Sequence, residues 1–319
     1  MFRFTLALIG AMLCIQGAAA QDYPNRPIRF LQGFAPGGNA DTIARVLAEE
    51  LSKSAGWSIV NEAKVGAGGN LASDAVAKAD ADGYSLVLFT TGHVISPALN
   101  KQLGFDPVED FSFVTTVTEF PFFIVVNADS RFKSIDDLVK EARAKSGTLT
   151  VGTAGVGTGQ HMCSELFAVS LKSKFVHVPF RGDAGAVTAL LGGNVDFIIA
   201  PGTAIFGQIE AGKFRALAVS GASRWPSLPQ VPTIAESGAP GFEVLAWTGV
   251  ATTKGVAKPI VDRLNAELRK AIAAPAVAEK LKGLGSVPVS SNPADVTDKV
   301  RSQVKLWKEV AEKAGLEKQ

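Results

Sequence analysis

The sequence predicts an α/β protein of two lobes, each built on a doubly wound, mostly parallel sheet, with two crossover strands joining them. Three observations carry this expectation. A unit of apolar strand, glycine-containing turn and amphipathic helix recurs along the chain and restarts near its middle. The chain has 319 residues, more than a single hydrophobic core normally serves. Two apolar passages, 119–126 and 242–247, lie between the halves, placed to carry the chain from one lobe to the other and back.

In the first half, residues 28–34 read as a strand leading into Ala35-Pro36-Gly37-Gly38-Asn39, after which Ile43, Val46, Leu47 and Leu51 follow at helical spacing. Residues 58–60 form a second short strand before Gly66-Ala67-Gly68-Gly69-Asn70 and a helix of small residues. A third, 85–89, ends in Thr90-Thr91-Gly92. Strands alternating with helices imply a sheet covered on both faces. The second half opens with Ser134-Ile135-Asp136-Asp137, a capping-box pattern at a helix start. Residues 148–153 are a strand, Ala154-Gly155-Val156-Gly157-Thr158-Gly159 a turn, and 160–171 a helix. The stretch 175–180 runs into Arg181-Gly182-Asp183-Ala184-Gly185, 196–200 runs into Pro201-Gly202-Thr203, and 215–220 is a further strand. From Pro259 the chain is helical, with Ile260, Leu264, Leu268 and Ile272 on one stripe that the sheet of the first half is expected to receive. The implied boundaries are 21–122 plus 246–319 for lobe one and 123–245 for lobe two.

The N-terminus has the three parts of a secretory signal. Arg3 gives a basic start, 4–15 is almost wholly apolar, and Ala18-Ala19-Ala20 offers an Ala-x-Ala cleavage site. The apolar run is too short for a membrane-spanning helix, so 1–20 reads as a signal peptide and Gln21 as the mature start. Cys14 does not suit lipidation, because Leu13 stands where a small residue is wanted. A periplasmic location follows. With Cys14 removed only Cys163 remains, which rules out an internal disulfide.

The hydrophobic fraction of 47% and charged fraction of 19% suit a well-buried α/β chain, and a net charge of +2 without basic clusters argues against nucleic acid as a partner. Enzyme signatures are missing. Glycines 155, 157 and 159 lack the third-glycine spacing of the dinucleotide fingerprint, no Walker lysine follows any turn, and there is no Gly-x-Ser-x-Gly elbow. His93, His161 and His177 have no metal-ligand spacing, so neither metal nor other cofactor is expected.

Every glycine turn falls at the carboxyl end of a strand, where ligands of open parallel sheets bind. Helix starts there offer unpaired N–H groups and partial positive charge, and glycine lets the backbone approach closely. The first two turns contain no Lys or Arg, so an anion there would be held by backbone N–H groups. Such turns are also ordinary strand–helix connections, and both readings stand for each one taken singly. His161 is read either as a ligand contact or as a helix-capping support. Arg181 and Asp183 are read as ligand contacts or as a local ion pair, Trp247 as a cleft wall or hinge packing, and Cys163 as a small core residue.

Particular stretches carry a resemblance. Tyr23-Pro24-Asn25-Arg26-Pro27-Ile28-Arg29, Phe34-Ala35-Pro36-Gly37-Gly38-Asn39-Ala40-Asp41, Asp82-Gly83-Tyr84, Val178-Pro179-Phe180-Arg181-Gly182 and Leu228-Pro229-Gln230-Val231-Pro232-Thr233 resemble Bug-type (TctC-like) receptors, the extracytoplasmic solute receptors of tripartite tricarboxylate transporters. The resemblance covers the whole mature chain. It implies a type II periplasmic-binding-protein fold, a monomer that does no catalysis, and capture of a small organic acid for membrane permease subunits, or in some members for a sensor kinase. A secreted enzyme on the same fold is the remaining alternative. It also implies carboxylate-holding positions at Ala35, Gly37, Gly38 and Asp41, along Gly155, Gly157, Thr158 and His161, and across Arg181, Gly182, Asp183 and Ala184. With the turn residues Phe34, Pro36, Gly68, Thr91, Gly92 and Thr153, these are the candidate ligand contacts. Two departures from the family pattern are Val60-Asn61-Glu62 before the second glycine turn and residues 251–258 after Trp247.

Overall fold

The computed structural model describes residues 23–318, so the signal-peptide expectation for 1–20 lies outside the described residues. Lobe one is built on β1 (Ile28–Gln32), β2 (Ile59–Ala63) and β3 (Ser85–Thr90), which pair in parallel in the order β2-β1-β3. Lobe two repeats this with β5 (Thr150–Thr153), β6 (Val176–Pro179) and β7 (Phe197–Pro201), parallel in the order β7-β5-β6. The two crossovers are β4 (Phe111–Asn127) and β9 (Leu245–Thr253). They run antiparallel to each other from Phe111↔Thr253 to Pro121↔Leu245, and β9 also pairs antiparallel with β3.

β4 then leaves β9 and inserts between β7 and β8 (Phe214–Val219), so one 17-residue strand belongs to both sheets. The change of partner falls at Pro121, which has no N–H to give a ladder; the next N–H, of Phe122, donates to Ser220 Oγ at 2.8 Å. The sheets are therefore mixed. Each lobe keeps a parallel core, and antiparallel pairs enter through the crossovers, since a chain that leaves a lobe must come back in the opposite sense. A short β10 (Val287–Pro288) adds one more against β4.

Helices cover both faces. In lobe one, α1 (Asn39–Ala55) packs beside α8 (Lys258–Ala273) and α9 (Pro275–Gly283), and Leu264, Leu268, Ile272 and Leu281 share a core with Phe30, Ile43, Leu47 and Leu88. The C-terminal stripe thus finds the host expected of it. The opposite face carries α2 (Asn70–Ala77), α3 (Gly92–Leu99) and α10 (Pro293–Lys313). In lobe two, α4 (Ile135–Ala144) starts on the anticipated capping box: Asp137 N–H donates to Ser134 Oγ, and Ser134 N–H to Asp137 Oδ2. The other helices are α5 (Gly159–Ser170), α6 (Asp183–Leu191) and α7 (Gly202–Glu210).

Along β4 the pleat sorts side chains with period two. Phe122, Ile124 and Val126 enter one core and Phe123 and Val125 the other. The first of these cores is continuous from Phe89 and Phe113 in lobe one to Phe167 and Phe197 in lobe two.

Candidate functional site

Five helix starts converge on one small, partly open cavity between the lobes. Asn39 and Ala40 open α1, Gly159 and Gln160 open α5, and Asp183 opens α6. Thr91 and Pro201 precede α3 and α7. The rings of Phe34, Phe120 and Phe122 supply the apolar wall, and Ala154 and Ala246 keep it shallow. No Lys, Arg or His lines this cavity, and Asp183 is its single ionisable side chain. First-turn N–H groups have no acceptor within their helix, so the arrangement offers an anion several directional donors and the positive ends of several helices.

The β1–α1 turn is held by its own side chains. Gln32 Oε1 accepts the Phe34 N–H at 2.7 Å. Asp41 Oδ2 accepts the Gly37 N–H at 3.0 Å and the Arg45 Nε–H at 2.8 Å, so Asp41 faces its own turn. Burial alone would raise the Asp41 carboxyl, but the Arg45 guanidinium and the Gly37 N–H bring it below its ordinary range.

Across the cleft, the β5–α5 loop is likewise self-supporting. Thr158 accepts the His161 N–H as N-cap and donates its hydroxyl to Gly155 O at 2.7 Å. His161 Nδ1 accepts the Gly157 N–H at 3.3 Å, and its ring stacks on His177 with centroids 4.1 Å apart. His177 Nε2 and Thr153 Oγ1 are 2.6 Å apart. Burial pushes His161 down to about 3, with the neighbouring His177 adding to it, and burial takes His177 to about 4. His161 is therefore a neutral loop support rather than part of the cavity wall. Cys163 is fully buried in the core, where desolvation pushes its thiol up.

The lobes meet along a hydrogen-bonded seam. Ala35 N–H donates to Arg181 O at 3.1 Å, Asn39 N–H to Asp183 Oδ2 at 3.0 Å, and Thr203 Oγ1–H to Asn39 Oδ1 at 2.8 Å. Glycines line that seam for a steric reason. A Cβ on Gly68 would lie 2.5 Å from Val156 O, one on Gly92 would lie 3.2 Å from Gly157 O, and one on Gly182 would lie 3.1 Å from Ala35 N. Gly182 and Gly68 also have φ of +135° and +63°.

Of the residues singled out from sequence, Phe34, Thr91 and Asp183 line the cavity. Ala35, Gly38, Gly68, Gly92, Gly157, Arg181 and Gly182 lie along the seam. Thr153, Gly155, Thr158 and His161 build the loop behind it, while Pro36, Gly37 and Ala184 are exposed and Asp41 is turned inward to Gly37. The local ion pair between Arg181 and Asp183 does not form: Arg181 is exposed, and Asp183 instead bonds Asn39 and Gln160. Trp247 packs the hinge, edge-on to Phe89 and under Lys299 Nζ, and its backbone N–H and C=O bond the Thr91 hydroxyl at 2.8 and 3.1 Å. Asn39, Gln160, Phe120 and Phe122 were missed as wall residues. The first two were legible as helix starts after glycine turns; Phe120 and Phe122 flank Pro121 in a crossover already anticipated. Among the described residues no three His, Cys, Asp or Glu side chains are placed to share a metal, and no helix is long and apolar enough to cross a membrane.

Residues 43–316 match the model of the tripartite tricarboxylate transporter family receptor, TctC. The chain is 41% identical over 312 residues to a protein encoded in the tcbD-tcbE intergenic region of Pseudomonas sp. strain P51, covering 97% of this chain and 93% of that one. The periplasmic binding protein BugD superposes with a TM-score of 0.90 at 36% identity, covering 93% of this chain and all of that one. An adipate-bound protein of R. palustris gives 0.90 at 32% identity over 93% of this chain and 100% of its own. MatC of Rhodopseudomonas palustris, with bound malate, gives 0.85 at 32% identity over 90% and 99%.

Proposed function

The chain belongs to the tripartite tricarboxylate transporter receptor family, a family of solute-binding receptors and not of enzymes, and from that premise we propose that it captures a small carboxylic acid in the periplasm and delivers it to a membrane permease. The single observation that carries the ligand chemistry is the convergence of five helix starts on one inter-lobe pocket with no cationic side chain in its wall. A carboxylate suits such a site, because N–H groups and helix dipoles bind it without an ion pair that would have to be broken at release. Adipate and malate in two solved relatives are of the same chemical class; di- or tricarboxylates and aromatic acids are the candidates to screen.

In this reading the ligand-binding set is Phe34, Asn39, Thr91, Gln160 and Asp183, with the glycine seam closing over it. The lobes divide at 122/123 and 245/246, and 1–20 is the export signal removed before the protein works. Thermal shift and calorimetry against a panel of carboxylates test the reading. An acid present at a hundred times its dissociation constant should add about 2.7 kcal/mol of stability. Stabilisation by a sugar or a simple amine, with none by any carboxylate, would overturn it.

A further inference from the structure

Asp183 is the one charge-bearing side chain in the cavity wall, and it is only 5% exposed. Both of its oxygens accept hydrogen bonds. Oδ2 takes the Asn39 N–H at 3.0 Å, and Oδ1 takes the Gln160 Nε2–H at 2.6 Å. Acceptance at both oxygens is the pattern of an ionised carboxylate. Its partners, a backbone amide and a side-chain amide, carry no formal charge. A buried carboxyl thus faces the cavity with no cationic partner, and it already takes an N–H at the positive end of α1.

This has two consequences for a ligand. The N–H groups left for its carboxylate are those at the other helix starts, above all around Gly159 and Gln160 of α5. On the side facing Asp183, a second ionised carboxylate would meet a like charge in a poorly solvated space, whereas a donor would find an acceptor. Burial pushes the Asp183 carboxyl up even though the Asn39 N–H and Gln160 amide favour its ionised form, so desolvation of that charge is not fully compensated by the protein alone.

We infer that Asp183 is a specificity-determining residue: the ligand carries one carboxylate for the helix starts and a hydrogen-bond donor, ammonium or hydroxyl, for Asp183, and an acid with a second free carboxylate at that end is rejected. The inference rests on the carboxylate-receptor reading and narrows it. It differs from a purely mechanical role, in which Asp183 would only latch the lobes through Asn39 and would affect all ligands alike.

The experiment is calorimetry on the purified protein with a matched series: butanoate, its 2- and 4-amino and hydroxy derivatives, and succinate, repeated with three- and six-carbon chains. At the chain length that fits, an amino or hydroxy acid should bind roughly tenfold or more tighter than the unsubstituted acid, a difference of about 1.4 kcal/mol, and the diacid should bind most weakly. Asp183→Asn should collapse that ratio and admit the diacid. A wild-type protein that binds the diacid as well as the donor-bearing acid overturns the inference, as does an Asp183→Asn variant that weakens every acid by one common factor. Should Asp183→Asn fail to fold, the wild-type series decides by itself. If no acid binds at any length, the receptor reading falls and this inference with it.

Discussion

Gly68 separates closure of the cleft from stability of the fold. Its φ is +63°, a conformation that costs an alanine about 1 kcal/mol. The second cost arises only when the lobes meet. A Cβ at this position would stand 2.5 Å from Val156 O, and ordinary contact begins near 3.4 Å, so the facing backbone must retreat by about 0.9 Å (3.4 − 2.5). Neither partner is a flexible side chain that could swing aside. Overpacking of this kind costs about 1–3 kcal/mol, all of it charged to the closed state. Gly68→Ala should therefore weaken ligand binding by roughly 5- to 150-fold, and small-angle scattering of the ligand-saturated variant should give a larger radius of gyration than the saturated wild type. Gly56→Ala is the control. Its φ is +69° and its Cβ would meet nothing within 4 Å, so it bears the same backbone cost with no seam contact. Both variants should lose similar melting temperature, and only Gly68→Ala should lose affinity. Equal affinities in the two variants would refute the assignment of the glycine seam to lobe closure.

Acid should destabilise the protein well above the carboxylate range. His93 is buried, and desolvation takes it down to about 4 against an ordinary value of 6.5; His161 and His177 are lowered as well. The unfolded chain thus binds more protons between those values, stability falls as pH drops below 6.5, and the loss from His93 alone reaches about 2 kcal/mol at pH 5. Carboxylates held low by partners, such as Asp41, Asp137 and Glu236, act only at lower pH, and Asp183 and Glu165, raised by burial, oppose the trend by gaining protons on folding; a chemical-denaturation midpoint that rises from pH 7 to 5 would contradict control by the buried neutral histidines. Thr91→Val leaves the Trp247 backbone without its hydroxyl partner in a buried site and should cost about 1–3 kcal/mol by chemical denaturation; a loss below the error of the method would show that water replaces it. Asp41→Ala removes the acceptor of the Gly37 N–H and should cost about 1 kcal/mol, with the ranking of ligands unchanged; a changed ranking would place Asp41 in the binding set.

The strands, the glycine turns and the helices that follow them were legible because each is written in a short stretch of chain. Ser134 and Asp137 make their box within one helical turn, and Leu264, Leu268 and Ile272 declare their stripe by spacing alone. The crossovers were legible only in part: 119–126 lies inside β4 and 242–247 meets β9 only at 245–247, while the threonine-rich 111–118 and the stretch 248–253 present no unbroken apolar run. The antiparallel share of the sheets was harder to see, because apolar runs do not record their direction. α3 was not anticipated beyond Thr91-Gly92; Pro97 inside it reads as a breaker in isolation, and packing overrides that preference.

Sequence by itself determined the parallel strands, their glycine turns and most of the helices that follow, and that glycine-rich helix starts gather at strand ends, since those preferences act over a few residues. Only the tertiary structure decided what those starts and glycines do. A glycine that admits a ligand and one that admits another backbone look identical in sequence, and Gly68 declares itself only when Val156 O stands opposite. Asp183 likewise became intelligible only against Asn39, 144 residues away, because a carboxylate's role is set by the donors and charges around it, and those are chosen by how the two lobes close.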